Sequence, residues 1–136
     1  MATRAIAMID DSGNRTWGLL TWSDHEPWRV GWQHMCLGEQ SFEAQDLFAA
    51  LQSIRHYLAM HGWRLLCYGA RNDVYPSGMS RESTGGRTAY ILSIGQRTQR
   101  SDLVDIFNPT TDDHIGTVSD QEAYYCAWLK SFEADV

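Results

Sequence analysis

The hydrophobic pattern of the first third of the chain has a period of two, which is typical of β-strands with one buried face. Across residues 28–36, apolar residues alternate with polar or small residues such as Arg29 and Gln33. Two apolar runs precede this segment, and polar turn residues separate all three, so we expect hairpins between consecutive strands. The pattern predicts an antiparallel meander of strands at residues 3–9, 17–22 and 28–36.

Beyond residue 40 the hydrophobic period lengthens to three and four residues, which is typical of an amphipathic helix. Ser41 is a favourable N-cap residue, and Gly62 is a favourable residue for the end of a helix. The pattern therefore predicts one helix of about 20 residues between them. Its apolar stripe consists of Ala44, Leu47, Phe48, Leu51, Ile54 and Leu58.

The second half of the chain contains three further apolar runs and a long polar segment. The runs predict strands at residues 63–70, 88–94 and 103–107. Residues 71–86 lie between the first two strands and form a loop that is long for a compact domain, and such loops are commonly functional or mobile.

A second helix is predicted over residues 120–132, because Ser119 and Glu122 have the spacing of a capping box. The element order β-β-β-α-β-β-β-α predicts an α+β fold, with a mainly antiparallel sheet of about six strands and two helices on one face. The chain has 136 residues, of which 43% are hydrophobic, and contains no linker or repeat. We therefore expect residues 1–136 to form a single α+β domain.

The net charge of the chain disfavours some classes of binding partner. Seventeen acidic and eleven basic residues give a net charge of −6. This balance disfavours direct binding of nucleic acid and docking on an anionic membrane, since both need a basic surface. The charge is also uneven, because residues 62–100 contain six arginines and two acidic residues, whereas residues 101–136 contain one lysine and eight acidic residues.

Targeting signals and catalytic motifs are both missing from the sequence. The apolar run at the N-terminus is too short for a signal peptide, and no window has the length of a membrane span. Cys36, Cys67 and Cys126 form no CxxC pair, so we expect reduced, buried thiols and a cytoplasmic location. No zinc spacing, nucleophile elbow or phosphate-binding loop occurs. We therefore expect no metal or cofactor and favour a protein that is not an enzyme.

Two residue types have more than one interpretation. His34 lies in the apolar register of its strand, which favours a core histidine with satisfied hydrogen bonds over a ligand or a base. Trp17 and Trp22 are five positions apart on one strand, so they point to opposite faces. At least one of them is then exposed or covered by another element or a partner, and exposed tryptophans are common in interface hot spots.

The segment from residue 71 to residue 87 is the first candidate site, because it combines arginines and hydroxyl groups. Three interpretations remain open for it: an ordered surface loop whose arginines pair with Asp73, Glu82 and the acidic C-terminal region, a protein-binding loop, or a loop that holds an anionic ligand. The candidate partner-binding residues in this segment are Arg71, Asp73, Tyr75, Ser77, Arg81 and Arg87.

The acidic residues near the last strand and helix are the second candidate site. Asp105, Asp112 and Asp113 belong to this group. A cluster of carboxylates can attract a basic partner and accelerate its association, although a solvated acidic face is the alternative.

A resemblance to known proteins also favours a protein that binds another protein. The run from Gly69 to Met79, the Gly85-Gly86-Arg87 sequence and the later Tyr124-Tyr125 pair resemble small uncharacterised bacterial proteins of similar length. In kind, the chain is similar to immunity proteins of bacterial toxin systems, which are short, acidic, cytosolic α+β domains. This resemblance is at the level of a class and implies no residue roles.

The resemblance, the charge and the aromatic content lead to one main expectation, an immunity-type protein that neutralises a cognate toxin by direct contact. A toxin with a basic nuclease-like domain would be one such partner. The alternative is a small enzyme or ligand-binding domain that holds an anionic substrate with loop residues 71–87. A structural subunit of a homo-oligomer remains a third interpretation.

Overall fold

The computed structural model, which describes residues 1–133, begins with a meander of four antiparallel strands. A fifth strand pairs with the first strand in antiparallel orientation. The strands are β1 (Ala2–Asp10), β2 (Arg15–Trp22), β3 (Trp28–His34), β4 (Gly38–Ala44) and β5 (Trp63–Leu65). The resulting sheet is curled and has the order β4-β3-β2-β1-β5.

A second, smaller sheet forms from the later part of the chain. Its strands are β6 (Val74–Tyr75), β7 (Thr88–Ile91) and β8 (Leu103–Asp105), which pair antiparallel in that order. The helices are α1 (Leu47–Met60), α2 (Gly78–Ser83) and α3 (Val118–Lys130). The α+β class and the antiparallel pairing are confirmed. The number of strands was underestimated, since residues 1–133 contain eight strands in two sheets.

Residues 38–44 form a strand, whereas the sequence predicted that a helix begins at Ser41. Side chains in this segment alternate between exposed and half-buried positions, which fits a period of two. The strand pairs along the whole length of β3, from Trp28 opposite Ala44 to His34 opposite Gly38. The helix begins later, after Asp46, whose Oδ1 accepts a hydrogen bond from the Ala49 amide at 2.8 Å.

Helix α1 supplies one half of the core and the inner face of the large sheet supplies the other. Five of the six residues of the predicted apolar stripe are buried in α1, whereas Ala44 lies in β4 and is half-buried. Full burial of one aliphatic side chain stabilises the fold by roughly 1.5–3 kcal/mol. On the opposite side, Trp22 stacks on Phe107 with ring centroids 4.3 Å apart. The core includes Ile6, Leu20, Val30 and Trp32 of the sheet and Leu47, Phe48, Leu51, Ile54 and Leu58 of α1.

The predicted strand at residues 63–70 ends early, at Leu65, and a short 3-10 turn follows over Tyr68–Ala70. This turn passes so close to α1 that a Cβ atom on Gly69 would lie 2.5 Å from the Leu51 side chain. Residues 71–86 also differ from the prediction. They are not one loop, because they contain β6 and α2.

Helix α3 begins two residues earlier than predicted. Its N-cap is Thr117 and not Ser119, since the Thr117 hydroxyl accepts a hydrogen bond from the Asp120 amide at 3.0 Å and the Asp120 carboxylate accepts one from the Thr117 amide at 3.1 Å. The helix packs against α1 and β6. The two long helices therefore serve different sheets, where we expected both on one face of a single sheet.

The buried guanidinium of Arg55 connects α1, which covers the large sheet, with α3, which packs against the small sheet. Arg55 of α1 is only 6% exposed. Its Nη1 and Nη2 donate to the carbonyls of Gly69, Ala70 and Gly116 at 3.1–3.4 Å. Burial lowers the pKa of Arg55 to about 10, so the group is still charged at neutral pH.

Gln121 of α3 completes this network. Its Oε1 accepts from Arg55 Nη1 at 2.6 Å, and its Nε2 donates to the carbonyls of Gly69, Arg71 and Val74, each at 2.9 Å. Gln121 is fully buried, at 0% exposure. Since a buried carbonyl without a donor costs about 1–3 kcal/mol, this one side chain stabilises the whole turn from Gly69 to Val74.

Replacement of Gln121 by alanine is therefore expected to destabilise the protein by about 3 kcal/mol, because the carbonyls of Gly69, Arg71 and Val74 each lose a donor and one Arg55 N–H loses its acceptor. Gln45→Ala is the matched control, since Gln45 is exposed and its side chain makes no hydrogen bond within residues 1–133. Urea unfolding followed by circular dichroism measures both. Equal unfolding midpoints for the two variants would contradict the role assigned to Gln121.

Candidate functional site

The three arginines of the predicted binding segment are each bound by a carboxylate of the same chain. Arg71 donates from Nε and Nη2 to Asp73 at 2.8 and 2.7 Å, a bidentate pair that leaves both side chains at most 15% exposed. Hydrogen bonding to Asp73 is the main cause that raises the pKa of Arg71. The predicted site residues Arg71 and Asp73 are thus brought together, but each satisfies the charge and hydrogen-bonding groups of the other.

Arg81 and Arg87 are held in the same way. Arg81 Nη1 lies 2.7 Å from Oδ2 of Asp46, the N-cap residue of α1, which the sequence analysis did not select as a site residue. Arg87 donates from Nε and Nη2 to Oδ2 of Asp105 at 3.1 and 2.9 Å. The segment therefore matches the interpretation as an ordered surface with internal ion pairs. Arg71 pairs with Asp73 and Arg87 with Asp105 of the acidic C-terminal region, as that interpretation states, whereas Arg81 pairs with Asp46, which it did not include.

Tyr75 lies at the centre of an aromatic and acidic cluster. Its hydroxyl donates to the Glu122 carboxylate of α3, with distances of 3.0 and 3.1 Å to the two oxygens. Its ring stacks on Tyr125 with centroids 4.0 Å apart, and the Arg81 guanidinium lies 5.6 Å from the same ring. Burial, followed by the hydrogen bond to Glu122, raises the pKa of Tyr75.

Ser77 has a structural position at the start of α2. Its Oγ accepts a hydrogen bond from the Ser80 amide at 3.0 Å and donates to Ser80 Oγ at 3.1 Å. No histidine contacts Ser77 within residues 1–133 through a hydrogen bond, so the described structure gives this hydroxyl no base.

The three candidate aspartates do not share one environment. Asp105 is bound by Arg87, and its Oδ1 also accepts from the Phe107 amide at 2.9 Å. Asp112 lies 3.5 Å from Arg15 of β2, and Asp113 accepts a hydrogen bond from Thr111 at 3.3 Å. Asp135, which the acidic C-terminal segment also includes, lies outside the described residues.

An exposed apolar surface lies on the other side of the large sheet, on the face that α1 does not cover. Trp17 is 64% exposed, Leu19 is 42% exposed and Met35 is 93% exposed. They border an open groove of about 590 Å³. The groove is lined by Ala5, Trp17, Gly18, Leu19, Gln33, His34, Met35, Gly38 and Glu39.

The local sequence explains why this tryptophan points outward. Strand β2 alternates, so Leu20 and Trp22 face the core while Trp17 and Leu19 face solvent. Between them, Gly18 allows Trp32 to pack against the backbone, because a Cβ atom there would lie 2.4 Å from the Trp32 ring. The prediction that Trp17 and Trp22 lie on opposite faces is confirmed. Sequence analysis did not select Leu19, Met35 and Glu39 as candidate site residues, because their exposure depends on which face of the sheet α1 covers.

His34 lies at the edge of this groove, and its ring is buried. Its Nδ1 accepts hydrogen bonds from the amides of Cys36 and Leu37 at 3.1 and 3.3 Å, so Nε2 carries the proton and donates to Thr16 Oγ1 at 3.0 Å. The expectation of a satisfied core histidine is confirmed. The ring also fixes the turn after β3, and this turn presents Met35.

The cysteines differ from the prediction. Cys67 is buried, whereas Cys36 and Cys126 are exposed, because they lie in the turn after β3 and on the outer side of α3. Burial raises the pKa of Cys67 to about 11, and nearby Arg55 offsets part of this effect. The thiol of Cys67 is therefore protonated at neutral pH and is not a nucleophile.

Comparison with known proteins adds no assignment, since no family model matches the chain and no curated protein matches it. Within residues 1–133, no group of three or more histidine, cysteine, aspartate and glutamate side chains is arranged to hold a metal ion. None of the helices described here is long and apolar enough to cross a membrane.

The Tyr75–Glu122 hydrogen bond is expected to make stability sensitive to alkaline pH. Because the pKa of Tyr75 is higher in the folded state than in the unfolded state, its contribution is complete below the unfolded value of about 10 and is lost as the pH rises through the folded value. Tyr75→Phe should cost about 1 kcal/mol at neutral pH. It should also lose less stability than the wild type on alkaline titration.

Tyr90→Phe is the control for this experiment, because Tyr90 is half-buried in β7 and its hydroxyl makes no hydrogen bond within the described residues. Urea unfolding at a series of pH values from neutral to alkaline measures all three proteins. If Tyr75→Phe and the wild type lose stability in parallel as the pH rises, Tyr75 is not the group responsible.

Proposed function

We propose that the protein is an immunity-type binding protein that neutralises a cognate bacterial toxin by direct protein–protein contact. The observation that carries this proposal is the internal pairing of Arg71, Arg81 and Arg87. A receptor for an anionic substrate would need these cations free, and here each has a carboxylate at hydrogen-bond distance. The alternative function, an enzyme or ligand-binding domain built on residues 71–87, thus loses the groups that would bind its substrate.

The charge of the chain supports a basic partner. Ion pairs within residues 1–133 occupy most of the arginines, while Glu39, Asp102 and Asp113 are among the acidic residues that have no basic partner there. An acidic surface of this kind accelerates association with a basic protein and disfavours acidic partners. Many nuclease-like domains have the basic surface that binding of a polyanion requires, so such a toxin would complement this protein.

Capture followed by a growth assay tests the proposal. The tagged chain is used to capture proteins from lysate of its source organism, and each captured protein is expressed alone and together with the chain. We expect one captured protein to arrest growth by itself, to permit growth in the presence of this chain, and to form a stable complex of equal stoichiometry. Recovery of no toxic protein, together with thermal stabilisation of the chain by small anions, would favour the ligand-binding alternative.

Electrostatic steering gives a second test of the same proposal. Asp113→Lys is expected to slow association with the captured toxin several-fold at low salt, and the difference should decrease at high salt as the charges are screened. Stopped-flow or surface-based kinetics measure the association rate. Asp113→Asn serves as the isosteric control and should have a smaller effect. Identical association rates at low salt for all three proteins would exclude a steering role of this residue.

A further inference from the structure

We propose that the toxin docks on the outer face of the five-stranded sheet, in the groove beside Trp17, and that its matching surface is basic around an apolar projection. This inference rests on the proposed function and names the surface and the partner chemistry. It departs from the candidate residues selected from the sequence, because those at residues 71–87 are engaged in contacts within the chain.

The apolar part of the argument is the combination of Trp17, Leu19 and Met35 at one groove. All three are exposed large hydrophobic side chains, and Met35 is the most exposed of those within residues 1–133. On the neighbouring strand β1, Ala5 lies opposite Leu19 and Ala7 lies opposite Trp17. Because alanine side chains are small, the groove has room for a side chain that projects from the partner. Tryptophan in such a position is the residue type that most often dominates binding energy.

The sheet also holds this surface in a fixed geometry. Strand β2 is paired on both sides, with β1 and with β3, and the His34 hydrogen bonds fix the turn that presents Met35. A rigid aromatic anchor loses little conformational entropy on binding, so more of its contact energy appears as affinity.

The charge of the groove selects the partner. Among the groove-lining residues of the described chain, Glu39 is the only one that carries a full charge, and it forms no ion pair there. The three arginines on the same face of the sheet are already engaged, Arg29 with Glu43, Arg15 with Asp112 and Arg64 with Asp11. A lysine or arginine of the partner would therefore find an unpaired carboxylate at the rim of an apolar surface.

The same charges argue against a second copy of this chain as the occupant. A symmetric dimer formed through this groove would place Glu39 of both copies in one interface, since the same patch meets itself in a two-fold dimer. Two chains with a net charge of −6 each also repel at longer range.

Affinity measurements with the captured toxin test the inference. Trp17→Ala is expected to weaken binding at least about 30-fold, and Met35→Ala several-fold. Met79→Ala is the matched control, because Met79 is also exposed, at 79%, but lies on α2. It should bind like the wild type. Glu39→Lys should slow association at low salt by about tenfold, whereas Glu82→Lys should leave it unchanged.

The outcomes separate this inference from the proposed function. If the toxin binds Trp17→Ala and Met35→Ala as tightly as the wild type, the docking surface is wrong while the immunity function stands. If the chain alone sediments as a dimer that Trp17→Ala dissociates, a second copy occupies the groove. If no toxin is recovered, both proposals fail. Circular dichroism melting checks that each variant is folded, and Leu19→Ala replaces Trp17→Ala if that variant is not.

Discussion

The buried guanidinium of Arg55 is the contact on which the joining of the two sheets depends. Arg55 belongs to the helix that covers the large sheet, and its hydrogen bonds reach the turn at Gly69 and Ala70, the carbonyl of Gly116 and the side chain of Gln121. Gln121 is the one buried residue of α3 within the described chain, so this polar network is the most deeply buried attachment of the helix, beside the stack of Tyr125 on Tyr75. An arginine is suited to this role, since its fork of donors can satisfy several carbonyls at once.

Ion pairs have a similar effect on the segment that contains α2. Arg81 binds the same aspartate that caps α1, and the Leu47 amide donates to the Gly85 carbonyl at 2.7 Å. Gly85 has a φ of 62°, and a Cβ atom there would lie 2.6 Å from the Trp28 ring. A polar segment with many hydroxyl groups is thereby held against the core. The polar groups that made residues 71–87 a candidate site therefore help to attach this segment to the rest of the fold.

Both faces of the large sheet carry apolar side chains, but the described chain covers only the inner face. The inner face contains Trp22 and Trp32, which α1 and Phe107 cover. The outer face contains Trp17, which the described chain leaves open. An exposed tryptophan on this rigid face contributes nothing to the core, and the proposal that a basic partner docks here rests on it and on the acidic residue at the rim.

Periodicity within a few neighbouring residues was enough to predict the α+β class, the antiparallel meander, most of the apolar stripe of α1 and the burial of His34. The same periodicity predicted that Trp17 and Trp22 point to opposite faces. Contacts between distant parts of the chain are what make residues 38–44 pair with β3 and Asp46 cap α1, and they neutralise Arg81 and Arg87 with Asp46 and Asp105. These contacts join residues 18 to 35 positions apart in the two ion pairs, and no local pattern encodes such pairings. Which face of the sheet stays open, and therefore where a partner can bind, depends on the packing of α1 and has the same physical origin.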